Sequence, residues 1–227
     1  GAGRATSSGS VLLTSAAASR VGGSGTVAVA SGTAADGASG SIALTSGVAS
    51  DGRGGDVRLE VGHSEAGGDV RMVAGQASSG EGGSLQIRSG AADDEATGRI
   101  DIYSADGTTK GSSSGHMDVV TGTTQIGGSG NLNLGSGDTV DATTSGAVTM
   151  TTGSTQKGAS GTVNIESGSA AQGTSGSVSI SAGASGAAGA SGAEVSIEAG
   201  AATMSGDGGL MSVATGTARM GTSGDLD

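Results

Sequence analysis

The nearest approach to a catalytic string is Gly111-Ser112-Ser113-Ser114-Gly115, which matches G-x-S-x-G, with His116 directly behind it. In hydrolases this pattern makes a strained strand-to-helix turn above a large sheet, and an acid and a histidine arrive from elsewhere in the chain. Here it falls in a Gly/Ser-rich stretch where composition alone generates such strings, so no enzymatic role is expected. His63 and His116 occupy unrelated positions in the internal repeat and make no metal pair; both are expected on the solvated surface. Asp93-Asp94-Glu95 is an acidic run that neighbouring repeats do not reproduce. Gly54-Gly55-Asp56 and Gly67-Gly68-Asp69 echo the opening of the calcium nonapeptide G-G-x-G-x-D-x-U-x, but its second half is missing. No cofactor is expected beyond weak, diffuse Ca2+ binding between loops.

The composition explains why chemistry is sparse. Among 227 residues there are 49 glycines, no proline, cysteine, phenylalanine or tryptophan, and one tyrosine, Tyr103. A core built on aromatic bulk is therefore excluded, as are disulfide and cysteine-zinc frameworks. No apolar stretch is long enough for a bilayer span, so no membrane insertion is expected. Ten basic residues against 21 acidic ones give a net charge of −11. A chain of that sign lacks the basic face that phosphate neutralisation requires, which argues against nucleic acid as a partner. The opening Gly1-Ala2-Gly3-Arg4 carries no apolar signal-peptide segment.

The elements that position these residues come from an internal repeat. A small residue followed by glycine recurs along the whole sequence, as at Ser24-Gly25, Ser39-Gly40, Gly82-Gly83 and Ser160-Gly161. The spacing between these anchor glycines ranges from 13 to 17 residues and is most often 15. Counted from the anchor, offsets +2 and +4 carry aliphatic residues: Val27 and Val29, Ile42 and Leu44, Val57 and Leu59, Val163 and Ile165, Val178 and Ile180. In the repeat from Gly192 the pair is Val195 and Ile197, which reads as one inserted residue after the anchor. Offset +6 is mostly Ser, Thr or Ala, while offsets +1, +3 and +5 are mostly polar or small. Alternation with period two over about six residues predicts a strand with one buried face.

Glycine also recurs at +7, as in Gly32, Gly47 and Gly168, and often at +12, as in Gly37, Gly80 and Gly158. With the anchors Gly25, Gly40 and Gly161, these positions predict three corners per repeat. Length variation is expected mainly after the small-residue arc between +7 and +12. The predicted architecture is all-β: a parallel β-solenoid (β-helix) of about 15 coils with a 15-residue repeat, continuous over 1–227 and uncapped at both ends. Its core would be the +2/+4 ladder. An antiparallel meander is less consistent with identical register in every repeat, and a disordered linker gives no reason for a recurring aliphatic pair. Two such side chains per repeat are a lean core against the cost of ordering fifteen residues. Contacts with neighbouring copies are therefore expected, and the final Asp225-Leu226-Asp227, lying within a strand, suggests an open edge for end-to-end addition.

The Gly/Ser/Ala/Thr-rich repeats, for example Ser160-Gly161-Thr162-Val163-Asn164-Ile165-Glu166-Ser167-Gly168, resemble β-solenoid repeat arrays of large secreted cell-surface or fibre proteins. The resemblance implies an extracellular or cell-surface structural protein that self-associates, end to end or laterally, into a filament, sheath or surface appendage. It carries no site residues with it. The abundant Ser and Thr offer acceptors for O-linked glycans, whereas Asn131, Asn133 and Asn164 begin no N-linked sequon. The alternative is an ice-binding or adhesive module for carbohydrate or another surface. Ice binding requires a flat, repeated threonine lattice, and the outward offsets instead mix Ala43, Arg58, Gln86, Asp118 and Asn164.

Overall fold

A computed structural model describes residues 8–19, 22–109, 111–140 and 144–225. The opening Gly1–Arg4 and the closing Leu226 and Asp227, on which the signal-peptide and open-edge expectations turned, lie outside these residues. The chain divides into two units, Gly1–Met117 and Asp118–Asp227. The same repeat is present in both.

Within each unit the repeat consists of an arm followed by a loop, and in five repeats of the described residues a backbone hydrogen bond closes that loop. The arm runs from the anchor through offset +6, and the loop returns to the next anchor. The loop over residues 75–83 shows the construction most fully. Gly83 N–H donates to the Gly75 carbonyl at 2.8 Å, closing a neck across eight residues. Two positions in this loop need glycine for separate reasons. Gly80 has φ of 88°, a conformation that costs a side chain about 1 kcal/mol or more. Gly83 has an ordinary φ, but a Cβ there would stand 3.0 Å from the Gly75 nitrogen. Equivalent necks join Gly98 to Gly90, Gly209 to Gly200 and Gly224 to Gly216, at 2.9, 2.8 and 3.2 Å. Loops of this size with joined ends are Ω-loops.

This arrangement corrects the predicted fold. The described residues contain no β-strand and no helix, so the chain is not an all-β parallel β-solenoid of about 15 coils. The physical reason lies in the neck. Closing eight residues costs less chain entropy than bringing together equivalents fifteen residues apart. At five places among the described residues an anchor N–H therefore bonds a carbonyl eight to ten residues before it, and no ladder joins neighbouring repeats there.

The ladder expected to be the core is consequently uncovered. Val27, Val29, Ile42, Leu44, Val57, Leu59, Val163, Ile165, Val178 and Ile180 are all exposed, from 49% at Val27 to 80% at Leu44. Among the described residues no hydrophobic side chain is buried. The accessible surface is 22719 Å². A compact monomer of this mass would show about 9,000 Å². The described residues have regular local form without a hydrophobic core.

Two further corrections concern register. The inserted residue assigned after Gly192 belongs to the preceding loop, because Ala193, not Gly192, donates the neck hydrogen bond to Gly183. With Ala193 as anchor, Val195 and Ile197 fall at +2 and +4 like every other pair. Length variation was also expected late in the repeat. Of the eleven positive-φ glycines among the described residues, nine lie three residues before the next anchor, while Gly111 and Gly189 lie four before it. The turn keeps a nearly fixed distance from the next anchor, so most of the variation is absorbed ahead of the turn.

Candidate self-association surface

The arms sort their side chains by alternation even though they form no ladder. Arg58 pairs with Glu60, and Arg99 pairs with Asp101 at 2.8 Å. Each pair links two odd offsets of one arm, so odd-offset groups two residues apart share a side. The aliphatic residues at +2 and +4 occupy the intervening positions. The ion pairs themselves are solvated and contribute little stability. Their value is geometric, since they mark the polar side.

The apolar groups of successive arms also meet at the loop neck. An open hollow of about 310 Å³ is lined by Ile87, Arg88, Ser89, Gly90, Ala91, Thr97 and Ile100. Ile87 stands at +4 of one arm and Ile100 at +2 of the next. The hollow lies beside the neck where Gly98 N–H bonds Gly90. At this neck, closure brings the apolar groups of two successive arms to one hollow. The alternation made the row itself legible. The hollow was not foreseen, because only the neck brings residues thirteen apart to one place.

The expected corner glycines divide into two groups. At the anchors Gly25, Gly40 and Gly161, an added Cβ would lie 3.5 Å from the Cβ atoms of Ser15, Ser31 and Thr152 respectively. The +6 residue therefore packs against the next anchor, which explains its small size. Gly32, Gly47 and Gly168 have neither a positive φ nor a neighbour within 4 Å of an added Cβ. The turn that demands glycine lies instead at the third position, as at Gly37 and Gly158.

Candidate chemical residues remain scattered. The serine string is part of a turn: the Ser112 hydroxyl donates to the Thr109 carbonyl at 2.7 Å, and the Ser112 N–H donates to the same oxygen at 3.0 Å. Ser113, His63 and His116 are exposed. Asp93, Asp94 and Glu95 form the tip of the loop between Gly90 and Gly98. Among the described residues no cluster of three acidic or histidine side chains is placed to hold a metal ion. Nor, among the described residues, is there a helix long and apolar enough to cross a membrane. Side-chain hydroxyls serve the loops instead: Thr124 Oγ1 donates to Gly127, Thr155 Oγ1 to Lys157 and Ser64 Oγ to Ala66.

No family model matches the sequence, and no curated protein or solved structure shows significant similarity to it.

Proposed function

We propose that this chain is a structural repeat protein that self-associates into an extracellular filament, sheath or surface appendage. The observation that supports this reading is the aliphatic pair, present at the same two offsets throughout the repeats and exposed in each. A soluble monomer rarely leaves so regular an apolar pattern uncovered unless another surface meets it. A chemical role finds no such support: Ser113, His63 and His116 are exposed, and among the described residues no three acidic or histidine side chains are placed to hold a metal ion. For cations the proposal is diffuse Ca2+ association, as counterion to a chain of charge −11. Exposed Ser and Thr in the loops offer positions for O-linked glycans that leave the apolar row clear.

Sedimentation across a concentration series, followed by negative-stain imaging of the heaviest fractions, tests this function. Elongated assemblies of many copies are expected. A single monomeric species at every concentration overturns it, and thermal hysteresis from that monomer would replace it with ice binding.

A further inference from the structure

We infer that the apolar row at offsets +2 and +4 is the face on which assembly occurs, and that a second copy of this chain covers it side by side. The inference rests on the self-association reading above and names its surface. Three observations lead to it.

The first is area. In the unit Asp118–Asp227 alone, thirteen apolar residues of the row, among them Val163, Ile165, Val178 and Ile180, are about half exposed or more. At on the order of 100 Å² each, they offer on the order of 1,000 Å² per copy, against about 800 Å² per partner in a standard stable interface. The second is spacing. A partner must present apolar groups in pairs two residues apart, with pairs recurring most often every 15 residues, and this chain presents that pattern itself. The third is shape. The hollow between Ile87 and Ile100 has a volume of about 310 Å³ and opens to solvent. An apolar cavity of about 150 Å³ accommodates benzene, so an aliphatic side chain from an opposing row fits within this hollow.

The polar side is poorly suited to the same task. Its arms carry exposed charged groups such as Arg58, Glu60, Arg99 and Asp101 that are already paired within their own arm. Bringing two like-charged copies together there would add repulsion and desolvation without apolar gain.

The absence of cysteine permits a direct test on the full chain. Ile165→Cys places a thiol on the row, and Asn164→Cys places one on its immediate neighbour. Cysteine behaves as a small hydrophobe, so Ile165→Cys keeps the row's character. Alkylation by iodoacetamide is followed for both variants, below and above the concentration at which sedimentation shows association. In dilute solution the two are expected to react alike, because both positions are exposed. On association, the thiol at 165 should slow by about tenfold or more while that at 164 keeps its rate, as expected where one surface becomes desolvated and the other does not. Equal protection, or protection at 164 alone, in chains that do associate overturns the side-by-side face and leaves the filament reading standing. If neither the variants nor the parent chain associates at any concentration, the filament reading falls as well.

Discussion

At the scale of single residues, glycine performs two different tasks and the difference is measurable. Gly80 is held at φ of 88°, and Gly83 approaches the Gly75 nitrogen too closely for a Cβ. Gly80→Ala should weaken the neck by about 1 kcal/mol. Amide exchange at Gly83 is then expected to accelerate about fivefold, since 1 kcal/mol corresponds to about that ratio at room temperature. Gly32→Ala should leave exchange unchanged, because that position has an ordinary backbone and open space around it. A second pair of substitutions separates the two sides of an arm. Ile165→Asp puts a charge into the row and should raise the concentration needed for association by at least about tenfold, the cost of desolvating an unpaired carboxylate. Asn164→Asp, on the side where charges already stand in water, should change it by less than about twofold. Sedimentation equilibrium on both variants checks this directly.

At the scale of the arm and its loop, the structure separates a length-sensitive part from a length-tolerant one. Between Val70 and Met72, a one-residue insertion would turn one of them to the polar side, because side chains alternate with period two. Association should weaken by about tenfold in that variant, whereas the same insertion among residues 76–79 should have little effect. Comparing the association midpoints of the two insertions provides the measurement. The natural sequence already contains the tolerant experiment, since the loop before Ala193 is longer while Val195 and Ile197 keep their offsets from the neck. The alternation of the arm was legible because it is a one-dimensional signal, but the buried strand read from it does not form; the turn glycines were legible because few other residues adopt a positive φ readily. What covers the row was not legible. Val163 and Ile165 look the same in sequence whether they face the next coil, another copy or water. That choice is made by where backbone hydrogen bonds close, and the bond from Gly98 to Gly90 closes locally. Ala193 escaped notice for a related reason: a search for glycine anchors overlooks an alanine that makes the same hydrogen bond.

At the scale of the whole molecule, regular local form coexists with an accessible surface of 22719 Å². If the chain self-associates as proposed, cooperative stability would come with association, since no hydrophobic side chain is buried among the described residues of the single chain. The net charge of −11 opposes that association through long-range repulsion. Raising NaCl from about 0.01 M to about 0.15 M shortens the Debye length from about 30 Å to about 8 Å and should lower the concentration required. Light scattering across a salt titration would show this. Ca2+ and Mg2+ at equal concentration should act alike, because screening by a diffuse counterion does not depend on a fitted coordination shell.

The necks also bear on how such a chain responds to tension. Each is drawn shut by a backbone hydrogen bond such as Gly83 to Gly75, and each shortens the contour by a span of eight to ten residues. Pulling the termini apart should pop these clasps one after another, each releasing on the order of 25 Å of slack. A material woven from such threads would give way in many small steps and recoil as the clasps refasten, absorbing work without rupture.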